Sequence, residues 1–286
     1  MENLKKLNLI APINDTSYGL VSTNLVKECV SSSIDISLFP IEIANIDTAT
    51  YNMITSSLNN RYTYNSESPS LKIWHAHELQ DRVGKGLWSA LTIFELDNFL
   101  DTEKYQLDNL DKILVCSEWA KEVVLSTINN KNVGVVPLGV EIPDIAVERS
   151  YDKFIIGNVG KWEIRKGHDV LLDIVKDLIN ETNDIELWMA CKNNKIDIEE
   201  NNKWQNYYES VLGDKVTFIP RQPSQKMMMW IMSQFHIGVF PTRAEGWCLP
   251  ALECMAMGTN LLISNVTAMR DFCNNDNSIL VDLPNK

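Results

Sequence analysis

Short apolar runs alternate with amphipathic stretches along this chain, and the alternation stops and restarts once. No other feature restricts the fold as much, because apolar runs of four to eight residues separated by helical periodicity are what a parallel sheet with crossover helices requires. In the first series, 7–13, 36–41, 71–75, 112–116 and 133–137 read as strands. Residues 19–32 place Leu20, Val21, Leu25, Val26, Cys29 and Val30 on one helical face, and Ser117 suits the N-cap of a helix running to 128. The passage 141–150, with Pro143 and four charged residues, reads as a linker. Beyond it come strands at 154–159, 185–191, 216–220, 237–242 and 260–264, with helices at 167–179, 199–212, 224–234 and 250–257. The expectation is an α/β protein of two Rossmann-like domains, 1–145 and 146–286.

Charge and cysteine usage narrow the classes of partner. The chain carries 26 Lys+Arg against 38 Asp+Glu, a net charge of −12, divided −8 and −4 about residue 145. Both parts repel phosphate backbones and anionic lipid at long range, so nucleic acid is not an expected partner and any bound anion must be gripped locally. The six cysteines form no C-x-x-C pair and no His stands at zinc-ligand spacing, which predicts buried thiols, no disulfide framework and no metal site. The longest apolar run, six residues at 227–232, is far below the ~20 of a spanning helix. No apolar signal core follows Met1, so the expected location is the cytoplasm, with no integral membrane segment.

In open sheets, ligands settle beyond the carboxyl ends of the strands. Two segments in such positions carry chemistry. In Gly157-Asn-Val-Gly-Lys-Trp-Glu-Ile-Arg-Lys-Gly167 a strand leads into Lys161, Arg165 and Lys166 ahead of a helix, a cation cluster suited to a phosphate as well as to a solvated basic turn. No G-x-G-x-x-G is present. In the stretch from Phe240 to Gly258, a loop with Glu245 and Gly246 precedes a helix whose first residue is expected to be Pro250, where a missing N–H is tolerated. The opening N–H groups and positive dipole end of that helix can hold a diphosphate, with Gly246 permitting close backbone approach. Glu253, one turn in, can offer both oxygens to a vicinal diol, although a first-turn Glu is favoured by the dipole alone.

The E-G-W-C-L-P-A-L-E-x-M-A-x-G segment resembles the E-x7-E motif of the retaining glycosyltransferases of family 4, which have the GT-B fold, and G-K-W-E-x-R-K-G is similar to their diphosphate-gripping loop. Weaker similarity reaches the first domain through Phe94-Glu95, Asp111–Ala120 and Val136–Val140. The resemblance implies an acceptor-side first domain and a donor-binding second domain. It also implies C-terminal helices for which this chain has no counterpart. It assigns Lys161 and Lys166 to the donor diphosphate with Arg165 beside them, Glu253 to the ribose, and Glu245 to the transferred sugar. Gly246, Trp247, Cys248 and Leu249 would line the donor through the loop and helix start. Asn14-Asp-Thr-Ser-Tyr-Gly19 resembles the family's glycine loop, which puts Gly19 near the donor phosphate. His77 or His75 would lie near sugar and acceptor, with His77 favoured. Trp162 and Trp247 read either as an aromatic wall beside the ligand or, more commonly, as core. His168, His236 and the methionines of 227–232 read as packing.

The function implied is metal-independent, retaining transfer of a sugar from a nucleotide-diphosphate donor, a substrate and not a cofactor, to the hydroxyl of a glycan, lipid-linked or small-molecule acceptor. Its catalytic residues would be His77, Glu245 and Lys166. The alternatives are a nonhydrolysing sugar-nucleotide epimerase and a noncatalytic nucleotide-binding protein of the same fold.

Overall fold

The computed structural model describes residues 5–148 and 152–283. The chain forms two compact units, Met1–Leu138 and Gly139–Lys286. The sequence placed the break near 145, inside the coil that follows Leu138; residues 149 and 150 of the expected linker lie outside the described residues.

The first unit runs β1 (Lys6–Ile13), α1 (Ser17–Ser31), β2 (Asp35–Ile43), α2 (Thr48–Asn60), β3 (Ser70–Ile73), β4 (Trp88–Leu91), α3 (Asp101–Asp108), β5 (Lys112–Val115), α4 (Glu118–Thr127) and β6 (Val133–Val135). Its six strands are parallel, in the order β2-β1-β3-β4-β5-β6. The strand order reverses between β1 and β3, which makes their carboxyl ends the switch point of this sheet. Ile10, Trp88, Ala90, Ile113 and Val115 from the strands pack with Val123 and Val124 of α4. Ser117 caps α4 as its position suggested, its Oγ accepting from Ala120 N at 3.1 Å. The strand expected over 71–75 ends at Ile73, and the chain turns through a 3₁₀ helix at Ala76–Glu78. His75 and His77 are therefore not related as alternate residues of a strand.

The second unit runs β7 (Phe154–Val159), α5 (His168–Glu181), β8 (Ile185–Ala190), α6 (Ile198–Leu212), β9 (Val216–Phe218), α7 (Gln225–Ser233), β10 (Ile237–Phe240), α8 (Leu249–Ala256), β11 (Asn260–Ser264) and β12 (Ile279–Val281). Its order, β12-β11-β10-β7-β8-β9, is again all parallel and reverses between β7 and β10. Ile155 and Ile156 fall in different core clusters, as do Phe240 and Val239. The sheet is thus buried on both faces, which is why these strands read as unbroken apolar runs. Gly157 lies inside β7, where a Cβ would stand 2.0 Å from the Phe235 ring; it serves core packing and not the loop that follows.

Candidate active site

At the second unit's switch point, the loops after β7 and β10 are joined by their backbones. Arg243 N donates to Arg165 O at 2.7 Å and Thr242 Oγ1 donates to the same oxygen at 3.0 Å. The approach is close enough to demand glycine at 167: its φ is +74°, and a Cβ there would stand 1.9 Å from Pro241 O. Across the junction, Arg243 grips Asp169 with two bonds of 2.8 and 2.7 Å, holding the Asp169 carboxyl below its ordinary range.

This joining places two of the three cations of one motif on the carboxylate of the other. Lys166 Nζ lies 2.5 Å from Glu245 Oε1 and Arg165 Nη1 lies 3.2 Å from Glu245 Oε2. Arg165 also donates to Ala244 O at 2.6 Å and to Glu163 at 2.8 Å. Glu245 is buried, as is most of the Lys166 side chain. Burial opposes the charge on Lys166, but the Glu245 carboxylate beside it prevails and keeps the ammonium above its ordinary value. Lys161 is exposed at the start of the same loop.

Two non-glycine residues in left-handed conformation bracket Glu245 in space. Cys248, at φ +69°, is the N-cap residue of α8 and turns the chain into that helix. Its buried thiol is pushed up to about 12 by desolvation, which leaves it protonated and inert. Thr267, at φ +43°, belongs to the 3₁₀ turn Thr267–Asp271 after β11. Its hydroxyl accepts from Glu245 N and donates to Glu245 O, both at 2.9 Å. A β-branched residue is costly in this region of backbone space, and here it pins the backbone of the site carboxylate from both sides. The sequence reading missed Thr267, since nothing local marks a residue 22 positions away from its partner.

Leu249 is the first residue of α8 and Pro250 the second, with Gly246 in the loop before them. Glu253 is buried on the same helix; its carboxyl is pushed up to about 7 by burial, and Oε1 accepts from Gln225 Nε2 at 2.6 Å. The two motif tryptophans take the core alternative. Trp162 stacks on Trp204 with centroids 5.4 Å apart and planes 4° from parallel, and Trp247 is buried against Phe272. His168 is buried between Asn158 and Cys191, its imidazole lowered to about 4 by desolvation, and His236 accepts from Ile155 N; both are structural as expected.

Gly19 and His77 belong to the first unit. Gly19 lets α1 approach the Asn14 turn, where a Cβ would stand 2.1 Å from Asn14 Oδ1. Trp74, His75 and Tyr18 make edge or tilted ring contacts, and His77 stacks on His75 at 5.4 Å. Tyr18 Oη donates to Ile93 O at 2.9 Å and accepts from Ile93 N at 3.1 Å. Both histidines thus belong to one aromatic group at the β1/β3 switch point. Among the described residues, no three His, Cys, Asp or Glu side chains are grouped so as to hold a metal ion, and no helix is long and apolar enough to cross a membrane.

Residues 153–286 match the sequence model of the family described as Glycosyl transferases group 1. The chain is 24% identical over 184 residues to the uncharacterized glycosyltransferase YqgM of Bacillus subtilis (strain 168), a match that covers 64% of this chain and 50% of that protein. It thus spans about half the length of this curated relative. Among solved structures, sucrose-phosphate synthase from Thermosynechococcus elongatus aligns with TM-score 0.72 at 15% identity, over 97% of this chain and 86% of the other. A structure from Anabaena, HepE in complex with UDP, aligns with TM-score 0.65 at 10% identity, over 97% and 85%. The architecture is the GT-B fold of two Rossmann-like domains.

Proposed function

We propose that the protein is a family 4 retaining glycosyltransferase that moves a sugar from a nucleotide-diphosphate donor to an acceptor hydroxyl. The observation that carries this is the junction at the second unit's switch point, where Lys166 and Arg165 meet Glu245 at the entrance to α8. The match of residues 153–286 to the glycosyl transferases group 1 model and the fold's likeness to structures such as the UDP complex from Anabaena support a nucleotide-sugar donor.

In this reading Lys161, Lys166 and the N-terminal N–H groups of α8 neutralise the departing diphosphate, the main electrostatic task when the transition state is oxocarbenium-like. Leu249, Gly246 and Cys248 contribute backbone at that helix start, and Trp247 contributes backbone while its indole stays in the core. Glu253 accepts from the ribose diol. Glu245, held by two cations, faces the transferred sugar. The acceptor, whether glycan, lipid-linked or small molecule, is assigned to the first unit, with Gly19 shaping its glycine turn and His77 and His75 the candidate contacts. The diphosphate charge is met by protein cations, so transfer is expected to persist in EDTA.

Nucleotide diphosphates that bind only the folded state must raise its melting temperature. Addition of UDP, GDP, ADP and their sugars should produce an upward shift with one base, and silence across the panel sinks the proposal. Incubation of the productive sugar nucleotide without acceptor distinguishes the epimerase, which alone would convert the donor's sugar.

A further inference from the structure

Glu245 and Glu253 are both buried carboxyls on the same segment, but they are held in opposite ways. Glu245 has two cations within 3.2 Å. Glu253 has a neutral amide: Gln225 Nε2 donates to Oε1 at 2.6 Å from 28 residues away. Gln225 is the first residue of α7, directly after the Ser224 cap, whose Oγ accepts from Met227 N at 3.2 Å. It stands on a helix end fixed by its own cap and lies outside both motif segments.

Above about pH 7, where Glu253 is ionised, its carboxylate is an acceptor with about four lone-pair positions on its two oxygens. The Gln225 amide occupies one of those on Oε1. One on Oε1 and two on Oε2 are left, enough for the two O–H donors of a vicinal diol. A neutral donor sets the carboxyl plane without cancelling the charge the diol needs, whereas a cation in its place would compete with the hydroxyls for it.

We infer that Gln225 is a positioning residue for the nucleotide: its amide fixes the Glu253 carboxyl in the orientation that accepts both ribose hydroxyls, so that discrimination between ribose and 2′-deoxyribose runs through Gln225. This rests on the assignment of Glu253 to the ribose.

The test uses the full chain and whichever of UDP, GDP and ADP binds most tightly, together with its 2′-deoxy counterpart. Gln225→Met keeps the length of the side chain and removes the donor; Gln225→Glu sets an acceptor against an acceptor. The wild type should prefer the ribonucleotide. Gln225→Met should weaken it about tenfold, the equivalent of ~1.4 kcal/mol, and leave the deoxynucleotide within about twofold, so that the preference collapses. Gln225→Glu should weaken the ribonucleotide further, since two adjacent carboxylates repel. A role confined to packing α7 on α8 would lower the melting temperature of the free protein and weaken both ligands alike. That result overturns the inference, as does an unchanged ribose preference in both variants, and either leaves the nucleotide reading standing. A wild type that binds no nucleotide, or binds both sugars equally, removes the Glu253 assignment and the inference with it.

Discussion

The two units have switch points in the same topological place, after the first strand and the strand that lies across the reversal, yet they fill them with different chemistry. The second unit brings four charged side chains together, Lys166, Arg165, Glu245 and Glu163, with Glu245 buried, and ties two loops by backbone hydrogen bonds. The first unit presents four rings, Tyr18, Trp74, His75 and His77, the last of them exposed. A buried ion group must be complete to be tolerated, because each charge left alone pays the full desolvation penalty. Partly exposed rings carry no such condition. The difference teaches that the second unit's site is coupled to its folding, and the first unit's site much less so.

Replacing Lys166 tests that coupling most severely. Lys166→Met leaves the buried Glu245 with one cation, Arg165, and should destabilise the protein by about 4 kcal/mol, read by denaturant unfolding; Glu245→Gln combined with it should recover part of the loss. Nucleotide-diphosphate binding should fall by two orders of magnitude or more in both. His77→Ala in the first unit should leave stability within about 0.5 kcal/mol, as surface changes usually do. Equal losses of stability at Lys166 and His77 would erase the contrast.

Glycine substitutions probe the backbone that carries each site. Gly167→Ala combines a left-handed φ with a clash against Pro241 O, and should cost about 3 kcal/mol while abolishing nucleotide binding. Gly19→Ala meets Asn14 Oδ1 at 2.1 Å and Asn14 O at 2.3 Å, and should also destabilise. In the proposed division of labour it impairs transfer more than it impairs nucleotide binding. The same binding loss in both variants would show that the donor depends on the two units equally.

Much of this was legible in the sequence, and the reasons for the omissions are physical. Strands such as β7 and β11 are buried on both faces, and their apolar runs gave even the observed bounds. α2 and α3 escaped because Thr48–Asn60 buries only Ile54, Ser57 and Leu58, and Asp101–Asp108 only Leu107, too few for a periodic signal. β4 and β12, of four and three residues, are strands by virtue of their neighbours' hydrogen bonds. The Glu245 and Glu253 spacing was visible because both lie on one continuous loop and helix. Their partners Thr267 and Gln225 were not, since each reaches the motif only through the fold, and Thr267 adopts a backbone conformation that its residue type disfavours.

Titration separates the charged groups within the second unit. The folded-state value of about 7 for Glu253 lies above the ordinary glutamate value of 4.5, so between those limits the folded state binds the extra proton and stability falls as pH rises. Glu253→Gln removes that dependence: it should be nearly neutral at pH 4.5 and stabilising by roughly 2 kcal/mol at pH 8, within the limit of ~1.4 kcal/mol for each tenfold change in proton affinity. A flat difference between mutant and wild type across this window would mean that water reaches the carboxyl. Lys166 is also raised, so its slope has the same sign but falls in alkaline solution: the stability it contributes is complete at neutral pH and is lost only as the solution passes the ordinary lysine range.

The smallest expected effect isolates preorganisation from charge. Thr267→Val keeps the branched shape and the left-handed strain but removes the hydroxyl that serves both Glu245 N and Glu245 O; Thr267→Ser keeps the hydroxyl. Val should lower stability by about 1.5 kcal/mol, since two hydrogen bonds worth about 0.5–1.5 kcal/mol each are lost, and Ser by less. If the reciprocal pair serves only the fold, transfer by the valine variant should match wild type at a temperature where both are fully folded. If it holds Glu245 toward the sugar, the valine variant should lose turnover at saturating donor with little change in nucleotide affinity, and serine should restore it. The charges at Lys166, Arg165 and Glu245 are the same in all three proteins, so a turnover loss confined to valine would assign the second unit's advantage to backbone placement as well as to ion pairing.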